Sequence, residues 1–336
     1  MLISLLIPLY NEEKQIPLTL DTLIPMLRDL PVDYELILVD DGSKDKTWEL
    51  INQASIKNTR IIGLRFSRNF GKEAAICAAL DKASGDAVIL IDGDLQHPPE
   101  LIPDMVKDWM TGEYDIIEGI KATRGKESVI SRLNARLFYG LFHRLSGYDL
   151  RNASDYKLLD RRVVDEWKNL EEHDTFFRGL SAWLGFRRKT FTFKVAARQT
   201  GISKWSLLRL AKLSINAITS FSTAPLQFIT FIGILLLAGS FIIAIQTLVN
   251  WFSGQAASGF TTVILLQLLI GGSIMISLGL IGIYVARIFT EVKGRPRYII
   301  AQQTSPSGSL ASGNGKGSIT GKNNLSDTSD SEAYRP

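Results

Sequence analysis

Two carboxylates separated by a single glycine offer the clearest chemistry in this chain. In AVILIDGDLQHPPE, residues 87–100, five apolar residues run without alternation and stop abruptly at Asp92, Gly93 and Asp94. Such a run fits a strand covered on both faces of a parallel sheet. The acids then stand at the strand's carboxyl end, where open α/β sheets collect their ligands. A turn at Gly93 lets Asp92 and Asp94, with Gln96 at the next alternate position, face one hard cation, which usually completes its shell with substrate phosphate oxygens. Asp-Gly is also ordinary turn chemistry, and this stretch alone does not choose between the two.

Other polar groups recur after apolar runs. Residues 3–9 end at Tyr10, Asn11 and Glu12, and a helical pattern follows over 14–28. Residues 35–39 end at Asp40 and Asp41, and residues 60–66 lead into SRNFG and a helix over 72–83. Residues 114–118 supply a further strand. Strands alternating with helices at this pace predict an α/β fold with a mainly parallel sheet and right-handed crossovers.

Asp40 can accept hydrogen bonds from a base N–H or a ribose hydroxyl, with Pro8, Tyr10 and Glu12 as pocket walls. Arg68 and Lys72 can face a diphosphate. Taken singly, these residues fit strand-end caps and exposed helix-start cations as well. Asp155, in NASDYK ahead of a helical stretch over 160–170, is either the approach turn of that helix or a buried functional acid. A helix over 175–184 bears Arg178. Residues 191–196 alternate and enter RQTGISKWS, where Arg198, Ser203 and Lys204 around a glycine form a candidate anion-binding loop. Neither G-x-G-x-x-G nor G-x-x-x-x-G-K-[ST] occurs, so no dinucleotide fingerprint or P-loop is expected.

The 336 residues carry a formal charge of +4. With no zinc finger, RNA-binding signature or arginine stripe, nucleic acid is not an expected partner. Cys77 is the only cysteine, which rules out an intrachain disulfide and favours a reducing compartment. MLISLLIPLYNEE lacks a basic leader region and is expected to be a first strand. Residues 226–249 and 261–286 contain no charged residue, and as helices they span roughly 36 to 39 Å, more than a bilayer's hydrocarbon core. Arg209, Lys212, Arg287, Lys293, Arg295 and Arg297 flank the pair, whereas the connection between them is uncharged. The positive-inside rule therefore puts the catalytic domain and both termini in the cytoplasm. Residues 129–145 and 207–221 look like amphipathic helices suited to a membrane surface. Residues 302–336, rich in Ser, Gly and Asn, are expected to be disordered.

Six stretches in this order, IPLYNEE from Ile7, VDDGSKDKT from Val39, SRNFGKEAA from Ser67, IDGDLQHPPE from Ile91, ASDYKLLDR from Ala153 and RQTGISKWS from Arg198, carry a resemblance. The chain resembles inverting nucleotide-sugar glycosyltransferases of the GT-A fold. More narrowly it is similar to polyprenyl-phosphate glycosyltransferases, the dolichyl-phosphate mannose synthases and bactoprenol glucosyltransferases. The match runs from about Leu2 to Tyr298. It implies Pro8, Tyr10, Glu12 and Asp40 as donor contacts, with Arg68, Lys72, Asp92 and Gly93 beside them. It also implies Mg²⁺ or Mn²⁺ near Asp92, Asp94 and Gln96, Asp155 at the family's proposed base, and Arg198, Ser203 and Lys204 at the lipid phosphate.

The expected reaction moves a sugar, glucose from UDP-glucose first, onto a polyisoprenyl phosphate such as undecaprenyl phosphate. GDP-mannose or a modified UDP-pentose is the alternative donor. Diacylglycerol or protein acceptors, and a non-catalytic nucleotide-binding component of a lipid-carrier transporter, are the rival functions. Processive synthases carry a Q-x-x-R-W motif absent here. The resemblance also implies a homo-oligomer in a bacterial plasma membrane. The expected organisation is a GT-A-like catalytic domain over 1–200, an acceptor loop and juxtamembrane helix over 201–224, and transmembrane helices over 225–250 and 261–287. A short outer loop over 251–260, a cytoplasmic segment over 288–301 and the 302–336 tail complete it.

Overall fold

The unalternating apolar runs become the central strands of one sheet because both of its faces are covered. A computed structural model describes residues 1–121, 140, 154–170, 172–173, 175–193, 223–253, 259–304 and 311–312. Strands β1 (Leu2–Leu9), β2 (Asp33–Asp40), β3 (Ile61–Phe66) and β4 (Ala87–Leu90) are parallel, with Leu9 opposite Asp40 and Leu6 opposite Leu90. Alternate side chains serve different cores, as the two-residue period of a strand requires. Ile3, Leu5, Ile7, Leu36, Leu38 and Ile89 pack with Ile16, Leu20 and Leu23 of α1 (Gln15–Arg28), Trp48 and Ile51 of α2 (Thr47–Lys57), and Met105 and Trp109 of α4 (Ile102–Met110). On the other face Leu6, Ile37, Val39, Val88 and Leu90 meet α3 (Lys72–Lys82), whose small residues bring it close to the sheet.

The strand order is β7-β5-β6-β4-β1-β2-β3-β8-β9. From β1 the chain builds outward to β3, then returns to place β4 on the other side of β1. The order reverses there, and the carboxyl ends of β1, β2 and β4 border the resulting crevice.

β6 (Lys157–Asp160) runs antiparallel between β4 and β5 (Ile116–Lys121), and β7 (Arg188–Phe193) lies parallel to β5. β6 is absent from the sequence reading because KLLD is short, does not alternate, and runs straight into helix α5 (Arg161–Asn169). Asp160 ends the strand and caps that helix, its Oδ1 accepting the Arg162 N–H at 3.0 Å. Helix α6 (Phe177–Trp183) follows.

Helices α7 (Ala224–Phe252) and α8 (Phe260–Val292) touch each other and contain stretches, Pro225–Asn250 and Leu266–Val292, long and apolar enough to cross a membrane. Phe228, Leu237, Phe241, Met275 and Ile276 are 64–73% exposed, so these faces are uncovered among the described residues. α8 continues past residue 287, and the Glu291 carboxylate accepts the His173 N–H at 2.9 and 3.0 Å. The amphipathic segments expected over 129–145 and 207–221 lie outside the described residues, apart from Gly140.

Beyond α8 the chain rejoins the sheet. Tyr298 stacks on Phe66 at 5.2 Å, its hydroxyl donates to Asp81 at 2.6 Å, and the Ser67 N–H reaches the Ile299 carbonyl at 3.0 Å. β8 (Ile300–Gln303) pairs antiparallel with β3, and β9 (Ala311–Ser312) pairs with β8. The disordered tail expected from 302 is corrected at 302–304 and 311–312. Polar composition hides an edge pairing that rests largely on main-chain groups. Thr304 is buried and closes the register: its N–H donates to Gly63 O at 3.0 Å, and its Oγ1 accepts the Gly63 N–H at 2.8 Å. Thr304→Val strands that buried N–H and is expected to cost about 1–3 kcal/mol of stability in denaturant titrations in detergent, with Thr304→Ser near wild type. Unchanged unfolding of the valine variant would show that this pair does not hold the edge.

Candidate active site

The loops after β1 and β2 are laced into one rim. Asn11, at φ 55°, gives its N–H to Ser43 Oγ at 2.8 Å and accepts the Lys44 N–H at 2.9 Å. Glu12 and Glu13 give their N–H groups to Thr47 Oγ1 and Asp45 Oδ2 at 2.9 and 3.1 Å. Gly42, at φ 69°, has no room for a side chain, because a Cβ would lie 2.5 Å from the Arg68 carbonyl carbon. Asp41 fixes the start of α3 by accepting the Phe70 and Gly71 N–H groups at 2.7 and 2.9 Å. Burial pushes the Asp41 carboxyl up, against the pull of those two N–H groups.

Asp40 is fully buried at the end of β2. Its Oδ1 accepts the Ser43 N–H at 2.9 Å, whereas Oδ2 lies 3.4 Å from Arg65 Nε and accepts no hydrogen bond. The Arg65 guanidinium is thus the charged neighbour of this buried oxygen. Pro8 sits in β1 opposite Val39, and Tyr10 is 43% exposed at the rim. Arg68 is turned to local work, stacking over Phe70 at 4.0 Å and donating to Asn69 O at 3.1 Å.

The second half of the site depends on β6. Lys157 lies opposite Leu90, so Asp155, two residues before β6, arrives beside Asp92, two residues after β4. Lys72 bridges them, its Nζ 2.5 Å from Asp92 Oδ1 and 2.7 Å from Asp155 Oδ2. From the other side Arg178 of α6 grips Asp155 through two bonds, Nε to Oδ1 at 2.7 Å and Nη2 to Oδ2 at 3.0 Å. Burial alone would raise the Asp155 carboxyl, but Lys72 and Arg178 outweigh it and hold the group far below the usual carboxylate range. Below the clamp, buried Lys157 pairs with Glu118 at 2.9 Å and donates to Ser181 Oγ at 2.7 Å. His97 stacks on Tyr156 at 5.2 Å, and the Tyr156 hydroxyl donates to Pro98 O at 3.0 Å.

The glycosyl transferase family 2 model matches residues 4–167. The chain is 38% identical over 305 residues to the SfII prophage-derived bactoprenol glucosyl transferase of Shigella flexneri, covering 89% of this chain and 97% of the relative. It belongs to glycosyl transferase family 2. The uncharacterized glycosyltransferase YkcC of Bacillus subtilis (strain 168) is 37% identical over 299 residues, covering 88% of this chain and 92% of that protein. A crystal structure of glucosyl-3-phosphoglycerate synthase from Mycobacterium tuberculosis with Mn²⁺, UDP-glucose and phosphoglyceric acid aligns with 65% of this chain and 78% of that one, at 25% identity and a TM-score of 0.44.

The glycosyltransferase has the expected GT-A-type α/β domain with a mainly parallel sheet, and two apolar helices near its C-terminus. Among the described residues, no group of three or more His, Cys, Asp and Glu forms a ready metal cage. Asp92 and Asp94 still suit a hard divalent ion that takes its remaining ligands from phosphate, and the Lys72 ammonium on Asp92 shows that this position accepts a cation. The turn is tight: Asp94 Oδ1 accepts the Gln96 N–H at 3.2 Å, Leu95 has φ 52°, and a Cβ on Gly93 would come within 2.6 Å of Leu9 Cδ2. Arg198, Ser203 and Lys204 lie outside the described residues.

Asp92, Lys72 and Asp155 are therefore brought together. Asp40, Pro8, Tyr10 and Glu12 form the neighbouring rim, and Arg68 borders it, its main chain against Gly42 and its charge near Asp41. Sequence reasoning assigned no role to Asp41, Arg65, Glu73 or the Lys157–Glu118 pair, and it noted Arg178 only as borne by a helix. The doubled acid at 40–41 was the one available signal. An open cavity of about 780 Å³, lined in part by Arg28, Tyr34 and Arg60, lies at the opposite end of the strands and takes no part in this cluster.

Glu73 adjoins the clamp, and its Oε2 accepts the Phe177 N–H at 2.8 Å. Burial and then the Asp155 charge push its carboxyl from an ordinary value of 4.5 up to about 7, against the pull of the Phe177 N–H. An acid whose folded pKa lies above its unfolded value binds its proton more tightly when folded. Wild-type stability from this group therefore falls as pH rises from 4.5 through about 7. Glu73→Gln is expected to gain thermal stability relative to wild type between pH 5 and pH 8; a constant gap would refute the assignment.

Proposed function

We propose that this glycosyltransferase transfers a sugar from a nucleotide diphosphate to the phosphate of a polyisoprenol, in a single displacement that inverts the anomeric carbon. One observation carries the choice of acceptor: the Asp155 carboxylate is saturated by Lys72 and Arg178. A carboxylate held so strongly ionised is a poor proton acceptor, as a sugar hydroxyl acceptor would require. A phosphate monoester with a second pKa of about 6 is already largely ionised and needs no base. The relatives named bactoprenol glucosyl transferase support the same acceptor class, and with it glucose as the sugar.

In this reading Asp40 receives the nucleotide through its Oδ2, with Pro8, Tyr10 and Glu12 around it, and Lys72, held by Asp155, faces the diphosphate. Asp92 and Asp94, with Gln96 alongside, would hold Mg²⁺ or Mn²⁺. Such an ion supplies charge neutralisation to a leaving diphosphate. Asp155 keeps Lys72 and Arg178 in place and stabilises positive charge developing at the anomeric carbon. Arg198, Ser203 and Lys204 would receive the lipid phosphate.

The two uncovered apolar helices support insertion in a membrane, and the flanking cations support a cytoplasmic catalytic domain. UDP-glucose is the proposed donor, the bacterial plasma membrane the location and a homo-oligomer the assembly, the last by resemblance alone.

Purified enzyme in detergent, given labelled UDP-glucose, other UDP-sugars or GDP-mannose with undecaprenyl phosphate, is expected to make a β-linked lipid phosphate from an α-linked donor, fastest with UDP-glucose. Product of retained configuration would refute single displacement, and absence of lipid-linked label with every donor would refute the function. Asp94→Asn is expected to lower turnover about 100-fold or more, on the scale seen when a group stabilising transition-state charge is lost. Lys204→Ala should raise the acceptor KM and leave the donor KM alone; unaltered acceptor kinetics would remove Lys204 from the site.

A further inference from the structure

We infer that Glu73 is a positioning residue for the transfer reaction: from the first turn of α3 it caps helix α6 and thereby fixes Arg178 against Asp155. The inference rests on the role proposed for Asp155 above.

Three observations meet at this point. Lys72 and Glu73 are consecutive, and their helix start is pinned by Asp41 through the Phe70 and Gly71 N–H groups. Lys72 reaches Asp155 Oδ2 at 2.7 Å, while Glu73 Oε2 accepts the Phe177 N–H at 2.8 Å. Arg178, the residue after Phe177, holds both Asp155 oxygens. One dipeptide thus supports both cationic sides of the same carboxylate.

The cap matters because of where α6 begins. The first N–H groups of a helix have no acceptor within it. Phe176, at the N-cap position, provides no side-chain cap, and Phe177 is fully buried with its ring 5.2 Å from that of Trp167. Its N–H therefore needs an acceptor carried by another element, and Glu73 is that acceptor. One turn further on, Ser181 Oγ donates to Arg178 O at 3.1 Å and accepts from Lys157 Nζ at 2.7 Å. The helix is held below by the Lys157–Ser181 link and at its start by Glu73. Loss of the Glu73 link frees the end that bears the guanidinium. The charged groups facing Glu73 are Lys72, Asp155 and Arg178, so its removal also changes the field at the clamp. Gln keeps the acceptor oxygen at the same reach, whereas Asp keeps the charge and falls short.

The test compares Glu73→Ala, Glu73→Asp, Glu73→Gln and Asp155→Asn in the full-length enzyme, measuring kcat, donor KM and melting temperature. Misplacement of a reacting group by about 1 Å costs on the order of 100-fold, so the Ala and Asp variants are expected to lose about 10- to 100-fold in kcat with donor KM nearly unchanged. Gln is expected to restore most of the rate, a rescue that a merely structural role for the charge would not produce. Wild-type kcat in the Ala variant, a Gln variant as slow as Ala, or an Asp variant as fast as wild type would each overturn the inference. If the Ala variant does not fold, the contrast between Gln and Asp decides it. An active Asp155→Asn enzyme would overturn the underlying role of Asp155 and this inference with it; an inactive one beside normal Glu73 variants would overturn this inference alone.

Discussion

A carboxylate buried to 5% exposure survives ionised only if something repays its lost hydration, and Asp155 is repaid by two cations from different helices. Removing one member of a buried, hydrogen-bonded ion pair typically costs about 3–5 kcal/mol, because the remaining charge stays out of water. The clamp therefore constrains more than itself. Lys72 has to sit at the first turn of α3, which Asp41 fixes, and Arg178 has to sit at the first turn of α6, which Glu73 and Ser181 fix. Asp155 reaches both only because β6 is inserted antiparallel beside β4 in a register that sets Lys157 against Leu90. Shifting that register by one residue would turn Lys157 away from Glu118 and Asp155 away from Lys72.

The rim formed by the loops after β1 and β2 is built differently, from main-chain donors meeting short polar side chains. Asn11, Ser43, Asp45 and Thr47 stitch the loops after β1 and β2 together, so the rim is formed before a ligand arrives and little ordering cost remains to be met on binding. Against that saturated background Asp40 Oδ2 stands out: among the described residues it accepts no hydrogen bond and has only the Arg65 guanidinium at 3.4 Å. Two adjacent acids, Asp40 and Asp41, thus divide their work: one holds Ser43 and Arg65, and the other ties the rim to the helix that delivers Lys72.

The apolar helices and the α/β domain are joined by the end of α8 and the chain just after it. Glu291 holds His173, Arg297 donates to Leu170 O, and Tyr298 is stacked on Phe66. β8 then covers the edge of β3, which would otherwise present a row of unpaired main-chain groups. Gln302 on that strand accepts from Arg65, the residue whose Nε approaches Asp40. Chain that follows the apolar helices thus contributes to the surroundings of Asp40.

Much of this was legible in the residues themselves. Unbroken apolar runs ending in acids determine parallel strands and the edge at which ligands collect, since burial on both faces leaves no polar position until the strand ends. Long uncharged runs determine two helices that water does not suit, because few soluble cores are that long. Tertiary structure alone decided which acid meets which cation. Asp92 and Asp155 are 63 residues apart, and nothing local in KLLD announces the strand that brings them together. The same holds for Glu73, whose partner is the Phe177 N–H, and for Thr304, whose partners are the Gly63 main-chain groups: every sequence possesses such groups, so only the fold selects them.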